Sequence, residues 1–184
     1  HAIHGRNPLI YLHTSEEDRV ADGLAPLVER CFPGGSLTTW SCVTGFNPAV
    51  PGVDTREPVA ALQHMIAEPR RGFYIMKDLA EYMNDPKVVR GLRELYFAFC
   101  RKYQSAVVVS SLVTLLPDSL EKAFCYLELD ALSSEDLMAR VLTVEKQFPG
   151  AALPANLRPQ VILALRGLTL SEVDHVMYRI FSAG

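Results

Sequence analysis

The chain has 184 residues and a mass of 20.4 kDa, with 49% hydrophobic, 21% charged and 9% aromatic residues. That length fits one domain, or a domain with a small appendage, and a mean hydropathy of +0.11 excludes wholesale disorder. A net charge of −3 and a pI near 6.0 leave no basic footprint for nucleic acid or an acidic membrane surface, and no apolar run approaches the ~18 residues of a spanning helix.

The segment His1 to Asn7 lacks the apolar stretch of a signal peptide, so the expected location is cytoplasmic. It is read as a disordered or appended N-terminus, residues 1–7. Leu9-Ile-Tyr-Leu12 follows as a short apolar strand. Thr14-Ser-Glu-Glu17 then reads as an N-cap with a capping-box Glu opening a helix with Val20, Leu24, Leu27, Val28 and Cys31 on one face. Pro26 is expected to kink that helix, and Pro33-Gly-Gly35 ends it.

Leu37 to Val43 reads as a second strand, and Asn47 to Arg56, with two prolines and a glycine, as a loop. A short helix bearing Val59, Leu62 and Ile66 leads to a third strand, Phe73 to Met76. Asp85-Pro86 places an N-cap and a first-turn proline before a helix that lines up Val88, Leu92, Leu95, Tyr96, Phe99 and Tyr103. Ala106-Val-Val-Val109 is the strongest strand signal, and its lack of alternation marks a strand covered on both faces. Phe124 to Leu129 is the fifth. Strands alternating with helices imply a parallel, doubly covered α/β sheet.

Past Asp130 only helices are expected. Ser133 to Asp136 caps one bearing Leu137, Val141, Val144 and Phe148. A second carries Leu157, Val161 and Leu165, and Thr169 to Glu172 opens a third. The expected organisation is an α/β body over residues 8–132 and a small helical lid over 133–184.

A five-stranded parallel α/β body with a helical lid resembles a P-loop (AAA+) ATPase module. Such a module needs a Gly-rich phosphate loop after its first strand. Here Leu12 is followed by His13-Thr-Ser-Glu-Glu-Asp18, with no GxxxxGK[ST] and three carboxylates that would repel a triphosphate. It also needs an acid pair after the third strand, one acid supporting Mg²⁺ and the next orienting water. Lys77 stands at the first of these positions and Asp78 at the second. Ser110 and Ser111 end the fourth strand, where a polar side chain would meet the γ-phosphate.

The particular succession of residues is more specific. Leu9-Ile-Tyr-Leu12 with its acidic run is followed by Trp40-Ser41 and Gly45, then Gly72-Phe-Tyr-Ile-Met-Lys-Asp78 and Asp85-Pro-Lys-Val-Val-Arg90. Val107-Val-Val-Ser110, Leu116-Pro117, Leu120-Glu121-Lys122 and Gly167-Leu-Thr-Leu-Ser-Glu172 complete it. From Pro8 to Phe181 the chain resembles the N-terminal half of the plastid and bacterial AAA-type ATPases called hypothetical chloroplast reading frame forty-six. That resemblance implies a degenerate AAA-like module preceding an intact ATPase module. It also implies an assembly, regulatory or partner-binding role with no cofactor, and as partners the downstream module of the same chain and neighbouring subunits. The start at His1 and the length of one module lead to the same expectation of a longer parent.

The remaining groups give weaker signals. Cys31, Cys42, Cys100 and Cys125 form no CxxC and are expected to be reduced, buried thiols, and the five histidines lack metal-ligand spacing. Trp40, Arg90 and Arg93 are the candidate interface residues, with Arg70, Arg71 and Arg101 as further surface cations. The alternative to an interaction module is an unorthodox nucleotide site or weak NTPase using Asp78, Ser110 and Ser111. A third reading is an unrelated enzyme with a pocket at the strand C-termini.

Overall fold

A computed structural model describes residues 7–113, 115–148, 150 and 152–182. The expected N-terminal tail therefore lies outside the described residues except for Asn7. The chain divides into two units at Leu129/Asp130.

The first unit is built on β1 (Leu9–His13), β2 (Ser36–Ser41), β3 (Gly45–Asn47), β4 (Gly72–Lys77), β5 (Ser105–Ser111) and β6 (Phe124–Glu128). These pair in the order β3-β2-β4-β5-β1-β6, all parallel except β2 with β3. All seven residues of β5 are buried, as an unbroken valine run between two neighbouring strands requires. Each buried valine contributes roughly 2 kcal/mol of transfer free energy.

The strand order dictates where the helices go. The connection from β1 to β2 runs one way across the sheet, and those from β2 to β4, β4 to β5 and β5 to β6 run the other. Right-handed crossovers therefore put α1 (Glu17–Cys31) on one face and α2 (Pro58–Ala67), α3 (Pro86–Arg101) and α4 (Asp118–Glu121) on the opposite face. The cores follow that division. Ile10, Phe73, Ile75, Ala106 and Val108 pack with Val20, Val28 and Phe32 beneath α1. Leu9, Tyr11, Trp40, Tyr74, Met76, Val107 and Val109 pack with Leu62, Met65, Leu92, Leu95, Phe99 and Leu120 on the other side.

Several expectations need correction. The sheet has six strands rather than five, because Ser41 Oγ accepts from the Thr44 amide and turns the chain back into β3. Gly45 sits at φ +70°, where a Cβ would meet Thr55 Oγ1 at 2.7 Å. A strand of three residues carries no periodicity to read. Val43, expected in a strand, is 76% exposed in that turn. Thr14 does not cap α1: its Oγ1 accepts from the Glu16 amide, and the helix starts three residues later with Glu16 at the N-cap. The helix runs on through Pro26 as one element. Cys42 and Cys100 are exposed and Cys31 and Cys125 half-buried, with Cys31 packed against the core beneath α1, so none of the thiols is fully buried. For Cys42 and Cys100, apolar sequence neighbours do not fix burial, because one lies in a turn and the other on the outer side of α3.

The second unit comprises α5 (Ser134–Glu145), α6 (Arg158–Leu165) and α7 (Leu170–Ser182) around Leu137, Val141, Val144, Leu153, Ile162, Leu165, Val173, Met177 and Phe181. Ser133 and Asp136 form a reciprocal capping box on α5. At α7 the Thr169 backbone amide and then its hydroxyl donate to Glu172 and hold that carboxyl below its usual range. This contribution is present above the ordinary carboxylate pKa and is lost as pH falls through the depressed value. Arg140 pairs with Asp174 between α5 and α7, and Arg158 with Glu145 at 3.1 Å between α6 and α5.

Gly72 opens β4 at φ +131°, where a Cβ would lie 1.9 Å from the Ser36 carbonyl oxygen. Gly72→Ala is expected to cost about 3 kcal/mol through forced backbone movement, read as a lowered urea midpoint with unchanged slope.

Candidate functional site

All five parallel strands end on the same edge of the sheet. There the loop from β1 leads to α1 on one face while the loops from β4 and β5 lead to the other, which makes β1/β5 the topological switch point. Backbone bonds tie the three loops together. The Thr14 amide donates to the Ser111 carbonyl at 3.1 Å and the Asp78 amide to the Ser110 carbonyl at 2.9 Å. His13 Nε2 lies 2.8 Å from the Leu112 carbonyl oxygen.

Strand alternation decides which side chains meet. Phe73, Ile75 and Lys77 share the α1 face of β4, and Lys77 Nζ reaches Glu17 Oε2 in the first turn of α1 at 2.7 Å. Each side chain is 31% exposed. Glu17 and Asp18 suit the positive end of the helix dipole, and Glu16 pairs with Arg19 at 2.9 Å. The first turn of α1 is therefore already supplied with negative charge, and one of its carboxylates is held by the strand-end lysine. The acid run and the lysine were both legible in the sequence. Their pairing was not, because β5 separates their two strands in the sheet.

Alternation also separates the two serines. Ser110 shares the α1 face with Val108, and its Oγ is buried with no hydrogen-bond partner among the described residues. Ser111 turns to the other face, where its Oγ accepts from the Val113 amide at 3.2 Å. Beside it Tyr11 donates to the Val113 carbonyl, and burial raises the Tyr11 pKa. Asp78 is exposed at φ +53° and leads into a single 3-10 turn, Leu79–Tyr82, without a side-chain cap bond. Short polar residues tolerate that left-handed conformation best. Of the strand-end residues singled out in the sequence, Lys77 and Ser110 share one face, Ser111 lies on the other, and Asp78 stands exposed beyond the strand.

The candidate interface residues behave differently from one another. Trp40 is 1% exposed, and its indole N–H donates to the Thr55 carbonyl at 2.5 Å, so it is a core residue rather than a surface contact. A strand-end tryptophan is drawn inward because the α2 side of the sheet needs its volume. Arg90 is exposed and pairs with Glu94 at 2.7 Å, whereas Arg93 donates to the Ser119 carbonyl at 3.3 Å. Arg70 holds the Pro48 and Ala49 carbonyls at 2.7 and 3.2 Å.

This sheet, with its helices on both faces and its loops gathered at the strand C-termini, defines the α/β fold of AAA ATPase domains. Solved structures share it: a chain of a katanin self-assembly structure aligns with TM-score 0.52 at 9% identity, covering 92% of this chain and 55% of that one. A chain of the E. coli MS115-1 HORMA:CdnC:Trip13 complex aligns with TM-score 0.54 at 15% identity, covering 92% and 65%. Residues 1–129 match the family described as SpoVK-like AAA ATPase, N-terminal domain, and the chain belongs to that family. It is 24% identical over 186 residues to the AAA domain-containing protein ycf46 of Guillardia theta and 22% identical over 184 residues to that of Trieres chinensis. Each alignment covers 98% of this chain and 36% of the relative, so the chain spans about a third of the length of these curated relatives.

Two measurements check the geometry of the site. A double-mutant cycle with Lys77→Ala and Glu17→Ala is expected to give a coupling of about 0.5–1 kcal/mol that shrinks in concentrated salt, as befits a partly exposed pair. Ser110→Ala removes an unpartnered buried hydroxyl and is expected to raise stability by about 1 kcal/mol in urea unfolding.

Proposed function

We propose that this chain is a AAA-like module that binds no nucleotide itself and serves as an assembly, regulatory or partner-binding domain of a larger AAA-family ATPase. The observation that carries the reading is the Lys77–Glu17 ion pair at the switch-point edge. An ATP–Mg²⁺ site in this fold needs backbone amides of a glycine-rich turn for phosphate and a carboxylate for the metal. The residues present do not fit that group. The turn after β1 contains no glycine, a carboxylate lies where phosphate would sit, and an ammonium lies where Mg²⁺ would need an acid. Both substitutions oppose the ligand, and each neutralises the other.

In this reading the module needs no cofactor. Its partners are a downstream AAA module of the parent chain and neighbouring subunits, and its location is the cytoplasm. Family membership and the threefold greater length of the curated relatives support a larger parent. Among the described residues no helix is long and apolar enough to cross a membrane.

One feature favours a second reading, an unorthodox nucleotide site or weak NTPase. Ser110 Oγ, unpartnered and buried on the face of Lys77, would gain a hydrogen bond from a bound polar group. Isothermal titration with ATP–Mg²⁺ decides between the two. No heat is expected up to about 1 mM ligand, a threshold of roughly −4 kcal/mol, and micromolar binding would reverse the conclusion in favour of the second reading. Turnover abolished by Asp78→Asn would do the same.

A further inference from the structure

Beside the N-terminus of α3 the first unit carries a groove of about 630 Å³ that the switch-point site does not use. Its apolar surface comes mainly from half-buried Val89, Leu115, Leu116 and Pro117 above the buried Met83, with Arg90 and Arg93 among the other lining residues. Among the described residues no carboxylate lines it, and Glu94 pairs with Arg90 at its edge. A depression combining aliphatic surface with two guanidinium groups has the composition of an interface rather than of an ordinary helix face.

The two cations are placed for recognition. Arg93 is half-buried and held by its bond to the Ser119 carbonyl, which fixes the side chain between α3 and α4. Arg90 lies nearly one helical turn earlier, on the rim, tethered to Glu94. A guanidinium offers five donors in a planar fork, so one bond each leaves geometry suited to a carboxylate. Val89 and Leu116 pack partly buried against the core, so the apolar part of the groove is preformed. Rigid apolar surface and anchored arginines together lower the ordering cost of binding.

We infer that this groove docks an acidic, leucine-bearing segment of a partner protein, with carboxylates on Arg90 and Arg93 and an aliphatic side chain against Leu116 and Val89. The charge of the lining selects the acid, and the apolar surface selects a side chain over a bare anion. A chain of net charge −3 gives nucleic acid no wider basic surface to track. The inference rests on the interaction-module reading above and specifies the surface and the chemistry of its partner.

The test is fluorescence anisotropy of the purified chain with a labelled Leu-Glu repeat peptide of about ten residues in about 50 mM salt. Saturable binding with a Kd below about 100 μM is expected, weakened at least about tenfold in the Arg90→Ala/Arg93→Ala double variant. A Ser-Glu repeat, lacking the aliphatic anchor, is expected to bind at least about fivefold more weakly. Should the double variant fail to fold, Arg90→Glu alters only an exposed side chain and is expected to show the same loss.

Equal binding of a Leu-Lys repeat, an unchanged affinity in the variants, or competition by millimolar inorganic phosphate as effective as unlabelled peptide would each overturn the proposal. So would self-association of the chain that Arg90→Glu abolishes, which would assign the groove to a second copy. A parallel ATP–Mg²⁺ titration separates the two levels of the argument. Heat from ATP overturns the interaction-module reading, whereas silence from both ATP and peptide overturns the groove alone.

Discussion

The central strand β5 is buried along its whole length between β4 and β1, and both faces of that valine ribbon must be kept from water. An α helix cannot cover two faces, so the chain crosses the sheet in opposite directions and lays α1 on one side and α2, α3 and α4 on the other. Within such a sheet no strand interior tolerates a charge. Polar chemistry is therefore displaced to the strand ends, where Lys77, Ser110 and Ser111 occur. The location of the candidate site follows from the burial of the core.

At that edge the electrostatics are internally balanced. The acids at the start of α1 favour the helix dipole, and Lys77 offsets one of them across the end of β5. A module that held nucleotide would leave positive potential there for phosphate to neutralise. Here the neutralisation is intramolecular, which agrees with the absence of a glycine-rich turn after β1. The groove beside α3 differs: two arginines line it, one of them paired with Glu94 at its edge, on a surface that the core holds in shape. In the inference drawn from that groove, partner recognition lies at this second surface rather than at the sheet edge.

Most of the fold was legible because its signals are local. Five strands, the Asp85 and Ser133 caps and the Thr169–Glu172 capping box are encoded within a few residues each. The misreadings were also local patterns, overruled by position. Thr14 and Glu17 have capping-box spacing, yet Thr14 turns its hydroxyl to the Glu16 amide because its own backbone is held against Ser111. Trp40 looked available for a partner but fills the space between sheet and helices, and Cys42 follows it into an exposed turn. β3 is too short for periodicity and exists through the turn that precedes it.

By itself the sequence determined the class of fold, the family resemblance and the lack of a GxxxxGK[ST] motif after the first strand, since composition, order and motif are properties of the chain. Only the tertiary structure decided that Glu17 holds Lys77, that Ser110 and Ser111 face opposite ways, and that Arg90 and Arg93 share a groove with Leu116. Each of these depends on the phase of a strand's alternation or on which strands the crossovers bring together. Those are set by packing the whole sheet between its helices. A net charge of −3 said only that the surface as a whole is not basic; the fold put acids at one helix start and two arginines in one groove.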